Sequence, residues 1–124
     1  MPYTVLYNEK NNVAELRFHD SASVKDYVDS RQKVIELCIE KQTNKILVHL
    51  DNLVAQDSIS KEEGFEFAES WDKKISKELY FAVVMPENVD SQNEFYFIVH
   101  MSKIKGITIK TFYSEELAIK WLTS

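Results

Sequence analysis

Serine, histidine, cysteine and the carboxylates are the side chains through which this sequence could do chemistry, and their spacing limits what each can do. Asp51, Asn52, Gln56, Asp57 and Ser58 crowd one segment directly ahead of the helix-start pattern Ser60-Lys61-Glu62-Glu63. A hydroxyl at that place suits phosphorylation, because a phosphate brings nearly two negative charges and the positive end of a helix dipole welcomes them. The same hydroxyl would equally serve to close a local turn with Asp57, as Ser/Asp clusters before helices commonly do. Ser60 is the expected N-cap, so Ser58 is not needed for that task. Ser58 is therefore a candidate phosphoacceptor, with Asp51, Asn52, Gln56 and Asp57 as a candidate interaction loop.

The other reactive side chains point away from catalysis. His19, His49 and His100 fall in separate segments with no His-x-x-x-His or His-Glu pairing. A metal would need such ligands to converge from different elements, so no metal site is expected. No serine or cysteine sits in a Gly-x-Ser-x-Gly elbow, and Gly64 and Gly106 are the only glycines. A phosphate-cradling turn after a strand is therefore missing, and neither nucleotide nor other cofactor is expected. With no visible acid/base or nucleophile arrangement, the chain reads as a non-enzyme. Cys38 lies among Val34, Ile35 and Leu37 and reads as a small buried apolar residue; a lone cysteine forms no internal disulfide. Glu62, Glu63, Glu66 and Glu69, with Lys73 four places after Glu69, read as a solvated helix face. Phe65, Phe67 and Trp71 either pack in the core or line a pocket for a small apolar ligand.

These residues must be positioned by a chain of 124 residues, 44% hydrophobic, with a net charge of −5. That length supports one domain over residues 1–124 with a core that needs no disulfide. An acidic balance disfavours nucleic acid, which needs a concentrated cationic face. The longest apolar run, Leu79–Met85, is too short to span a bilayer, and no basic or apolar leader follows Met1. A cytoplasmic protein is expected.

Tyr3–Tyr7 and Val13–Phe18 read as a hairpin around Asn8–Asn12. Ser23 with Asp26 forms a capping box for a helix whose apolar positions are Val24, Tyr27, Val28, Val34, Ile35 and Cys38. Lys45–Leu50 is a strand, Asp51–Ile59 a connection without periodicity, and Ser60 opens a helix carrying Gly64, Ala68, Trp71 and Ile75. Leu79–Met85 is a buried strand. The run Phe95–Val99 suits either a strand or a helix, and the continuation through Met101 and Ile104 to the C-cap Gly106 decides for helix. Ile107–Phe112 alternates as a strand, and Ser114 caps a last helix with Leu117, Ala118, Trp121 and Leu122 on one stripe. Trp71 and Trp121 are both expected to be largely buried. The order β-β-α-β-α-β-α-β-α implies an α/β domain with a mixed, mostly parallel sheet and about four helices.

That order resembles the STAS domain, closest to its free-standing SpoIIAA-like (anti-sigma-factor-antagonist-like) branch. The residues that carry the resemblance are the strand Lys45-Ile46-Leu47-Val48-His49-Leu50-Asp51, the pair Asp57-Ser58, and the C-terminal stretch from Phe112 through Ser114-Glu115-Glu116 to Trp121-Leu122. The resemblance covers essentially the whole chain. It implies a regulatory domain that binds a protein partner under control of serine phosphorylation, with Ser58 on the phosphorylated position. Ile59 and Ser60 stand where the antagonists continue with Ser-Gly. The fold is also similar to lipid-transfer domains, which keeps a carrier or sensor of a small apolar, lipid-like ligand as the alternative.

Overall fold

The computed structural model describes residues 2–51, 53–56, 60–71, 78–86 and 89–124, with segments 20–22, 53–56 and 89–94 and residue 61 through their backbone alone. The chain opens with β1 (Tyr3–Asn8) and β2 (Val13–Phe18), paired antiparallel, and Asn12 turns the hairpin at φ 56°. A short β3 (Asp20–Ala22) follows, then α1 (Val24–Lys41), β4 (Lys45–His49) and β5 (Leu53–Gln56). The rest comprises α2 (Lys61–Glu69), β6 (Tyr80–Val84), α3 (Val89–Ile104), β7 (Thr108–Phe112) and α4 (Glu115–Thr123).

Five strands form the main sheet in the order β1-β2-β4-β6-β7, and every pairing after the hairpin is parallel. The sheet is thus mixed and mostly parallel, as the alternation of elements requires. The aromatic run at Phe95–Val99 is helical, inside α3. Its backbone carbonyls run out at Gly106, which takes φ +90°, while the Ile107 amide returns to the Ser102 carbonyl at 3.2 Å. Only a residue without Cβ adopts that conformation freely.

Two strands lie where no strand pattern is legible. β3 and β5 pair in parallel as a separate two-stranded sheet, so the stretch Asp51–Ile59 is not one irregular connection. The reason is topological. β2 and β4 are parallel neighbours, so the chain leaves both in the same direction, and the two extensions run side by side. Pairing then satisfies backbone groups that would otherwise need water.

Side-chain alternation divides the core. Ala14, Leu16, Phe18, Ile46, Leu50, Phe81 and Val83 face α1, α2 and α3, with Tyr27, Val34, Phe67, Phe95 and Ile98 packed on them. Val13, Leu47, Ala82 and Val84 face the opposite way, where Ala118 and Leu122 of α4 cover them. One helix covers less than three do. Trp121 is accordingly half-buried at the margin of α4, 5.8 Å from the Phe112 ring and 6.3 Å from that of Tyr80, and not enclosed as its stripe implies. Trp71 is buried, 6% exposed, but it lies past the end of α2 at Glu69 instead of on the helix; Ile75 and Lys73 fall outside the described residues.

Ser23, Ser60 and Ser114 cap α1, α2 and α4, the first two as full capping boxes with Asp26 and Glu63. Replacing Ser23 or Ser60 by alanine is expected to cost about 1 kcal/mol each in denaturant unfolding. Gly64 has a different role. A Cβ there would stand 2.6 Å from Cε1 of Phe97, so α2 approaches α3 only because Gly64 has no side chain. Gly64→Ala is expected to lower stability by about 1 kcal/mol, overpacking outweighing the helix propensity gained. In a Phe97→Ala background the same change should stabilise, and a double-mutant cycle measured in urea checks the reversal of sign.

Candidate functional site

In open α/β sheets, ligands and partners gather where parallel strands end at their carboxyl termini. Here that pole holds His49 at the end of β4 with Leu50-Asp51 after it, Met85-Pro86 after β6, and Tyr113-Ser114 after β7. The N-termini of α2, α3 and α4 face the same pole. Asp51 is exposed there, and Gln56 ends β5 opposite Ala22. Asn52, Asp57 and Ser58 lie outside the described residues, so the candidate loop is seen only at its borders. Its far border is Ser60, whose Oγ accepts the Glu63 amide at 3.1 Å while Glu63 Oε1 accepts the Ser60 amide at 3.2 Å. Ser58 therefore stands two residues before a capped helix N-terminus.

Beneath this pole, on the face covered by α4, the structure buries a polar group that sequence spacing does not disclose. The parallel register sets Arg17 of β2 opposite His49 of β4, with Glu15 two residues earlier on the same face. Glu15 and His49 are 4% and 1% exposed, and their Oε1 and Nε2 atoms are 2.8 Å apart. A carboxylate only accepts, so His49 carries its proton on Nε2 and donates it. The other oxygen of Glu15 accepts from Asn8 Nδ2 at 2.9 Å. Arg17 Nη2 lies 3.3 Å from Glu15 and 3.4 Å from Glu115, the first residue of α4, and the Glu115 oxygen is 3.7 Å from His49 Nε2. On the imidazole's other side, Asp51 Oδ1 is 3.9 Å from Nδ1.

His49 is thus not isolated from carboxylates. Glu15, His49 and Glu115 arrive from three elements with one ligand atom each, all within 4.8 Å of one another, a grouping with the donor types of a divalent-cation site. The Arg17 guanidinium already lies between the two carboxylates and supplies the positive charge, so the group is satisfied without an ion. His19 and His100 take no part in it: His19 Nε2 lies 3.4 Å from Thr4 Oγ1, and His100 is exposed.

The opposite face holds an apolar cavity of about 80 Å³ between the sheet and the three helices, lined by Phe18, Tyr27, Val48, Phe67, Trp71 and Phe95 among others. Phe67 and Trp71 pack in the core and also form part of this wall, whereas Phe65 is 50% exposed. Arg31 closes one side. It is 9% exposed, sits 4.5 and 4.4 Å above the Phe67 and Trp71 rings, and donates to the Phe67 carbonyl at 3.1 Å and to Ser70 Oγ at 2.6 Å. The Phe67 carbonyl belongs to the last turn of α2, the negative end of its dipole, where a cation is favoured. Burial lowers the Arg31 guanidinium to about 10. Trp71 donates its indole N–H to Ser102 Oγ at 3.0 Å, which leaves neither buried group unmatched. Cys38 is 2% exposed, and burial pushes its thiol up to about 12.

No protein-family model matches this sequence, and no curated protein is significantly similar to it. Solved structures do match. An uncharacterized protein of the DUF3478 family from Shewanella loihica, described as having a SpoIIAA-like fold, superposes with a TM-score of 0.56 at 13% identity, over 97% of this chain and 91% of its own. This chain has the SpoIIAA-like fold. A Thermotoga maritima protein named as a candidate anti-sigma factor antagonist matches with a TM-score of 0.60 at 17% identity, over 98% of this chain and 95% of its own. The SpoIIAA-like domain is therefore spanned almost end to end by both neighbours.

Two measurements check this description. His49→Ala should remove about 3 kcal/mol from the unfolding free energy, because it leaves a cavity at a fully buried position and takes one hydrogen bond from Glu15, which keeps Arg17 and Asn8. Glu115→Gln at the half-exposed edge should stay within about 0.5 kcal/mol. Cys38 should resist iodoacetamide at mildly alkaline pH in the native protein and react once guanidinium chloride unfolds it, since only the thiolate attacks; mass spectrometry reads both states.

Proposed function

We propose that this SpoIIAA-like domain is a non-enzymatic regulatory module of the STAS type that docks a protein partner at the carboxyl pole of its sheet, with Ser58 as the phosphoacceptor. The observation that supports the reading is the capped start of α2 at Ser60, two residues after Ser58 in the sequence. A phosphate so close in sequence to the start of α2 would add nearly two negative charges that a helix N-terminus favours, and so would change what the segment attracts. The likeness to a protein named as a candidate anti-sigma factor antagonist supports the same class of role. The buried acid–imidazole pair has a structural part on this reading, since neither Glu15 nor His49 can meet a substrate at 4% and 1% exposure. No described helix is long and apolar enough to cross a membrane, and the module is read as acting in the cytoplasm with no bound cofactor, metal or nucleic acid.

The cavity favours a second reading, a carrier or sensor of a small apolar ligand. Its volume of about 80 Å³ suits only a ligand of a few carbons, since an apolar cavity known to take up benzene is roughly 150 Å³. A lipid chain would have to part α2 from the sheet, against the Arg31 clamp and the Trp71–Ser102 bond.

Ser58→Asp should change partner binding several-fold and leave the unfolding midpoint nearly unmoved, whereas Ser60→Ala should lower stability and leave binding alone. A Ser58→Asp protein that binds the partner captured from its source cells as the wild type does would sink the phosphoacceptor assignment. Native mass spectrometry of protein purified from those cells would reveal a retained apolar ligand and favour the second reading.

A further inference from the structure

Large apolar side chains are exposed singly over most of this domain: Leu6 on β1, Ile39 on α1, Phe65 on α2, Tyr80 on β6 and Ile104 at the end of α3. Scattered residues of that kind are ordinary. At the junction of β7 and α4 they gather instead. Tyr113 is 68% exposed, Leu117 56% and Tyr96 37%. The Tyr96 and Tyr113 hydroxyls hydrogen-bond to each other, which ties α3 to the end of β7. Ser114 Oγ accepts the Leu117 amide at 3.1 Å, so the first turn of α4 holds Leu117 one turn from Tyr113.

The surroundings of this patch are acidic. Glu115 and Glu116 occupy the first turn of α4, both exposed, and Asp51 and Glu115 flank opposite sides of the His49 ring. Against these three carboxylates stand the half-exposed guanidinium of Arg17 and, one turn along α4 from Glu116, the exposed Lys120, so the acidic groups are in excess. An anionic lipid surface or a nucleic acid would be repelled by such a rim, and so would the same patch on a second copy of this chain. A basic partner would be attracted. Tyrosines that bury wide, rigid rings at little entropic cost are common anchors of such contacts.

We propose that the Tyr96–Tyr113–Leu117 patch, with Glu115, Glu116 and Asp51 around it, docks a basic amphipathic helix of a protein partner. A helix of that kind places apolar residues at three- and four-residue steps over the patch and Lys or Arg beside its carboxylates. The proposal rests on the reading of this domain as an interaction module and names a surface beside, not within, the segment that holds Ser58.

The test uses the full chain and two synthetic amphipathic helices, one of leucine and lysine and one of leucine and glutamate, with amide chemical-shift mapping and fluorescence anisotropy. The leucine–lysine helix should bind, with shifts centred on residues 96 and 113–117 and affinity falling as salt rises. Tyr113→Ser with Leu117→Gln should weaken it by about tenfold or more, and Glu116→Lys should weaken it and flatten the salt dependence. The leucine–glutamate helix should not bind. The proposal is overturned if the leucine–lysine helix fails to bind, if its shifts map elsewhere, if both helices bind alike, or if the chain dimerises through this patch and Tyr113→Ser makes it monomeric. Ser58→Asp discriminates the two readings: an unchanged natural partner affinity removes the phosphoacceptor and leaves the patch, while loss of the patch effect leaves the Ser58 result standing.

Discussion

The parallel pairing of β2 with β4 is the constraint on which the rest of the carboxyl pole depends. It sets Arg17 opposite His49, which brings Glu15 within 2.8 Å of the imidazole and gives α4 a charged place to land at Glu115. The same pairing sends the chain out of both strands in one direction, and β3 and β5 form because those exits are neighbours. A slip of one residue would turn Glu15 and Arg17 toward the aromatic core and Leu16 and Phe18 toward α4. The cost of burying two unmatched charged groups makes that register untenable.

The two faces of the sheet solve burial differently. Beneath α1, α2 and α3, aromatic edge-to-face contacts run from Tyr3 through Phe18 and Tyr27 to Phe95, and from Phe67 through Trp71 to Phe81. Among the described residues, Arg31 is the one cation buried there, held by rings and by the carbonyl end of α2. Beneath α4 the layer is thin: small residues, Ala82 and Ala118, allow close approach, and the polar cluster fills the rest. At the thin side's upper edge a short capped helix leaves Tyr113, Glu115 and Glu116 in the open.

Much of this was legible in the residues. Three serine caps, the hairpin, the helical sense of Phe95–Val99 and the SpoIIAA-like order all follow from local patterns whose physical cause is local: side-chain oxygens meeting free amides, and apolar residues recurring with the helical period. What escaped was long-range. β3 and β5 are too short to carry a period, and only the parallel exits of their neighbours create them. The Glu15–His49–Glu115 group joins residues 34 and more positions apart, and no spacing rule reaches across strand register. Arg31 left a clue, since it falls four residues after Tyr27 and three before Val34 on the apolar stripe of α1. The clamp it makes on α2 still required the third dimension. Of the candidate loop, Asp51 and Gln56 took their places at the borders of β4 and β5, while Asn52, Asp57 and Ser58 lie outside the described residues.

The two tryptophans stand in unlike surroundings, one on each side of the sheet. Trp71 is enclosed by Phe67, Phe81 and the Arg31 guanidinium with its N–H bonded to Ser102, while Trp121 lies half-open between Tyr80 and Phe112. Their emission must therefore differ in colour, Trp71 blue and shielded from soluble quenchers, Trp121 redder and accessible. The domain carries a built-in optical label for each layer, and single-tryptophan versions would watch the three-helix side and the α4 side open independently.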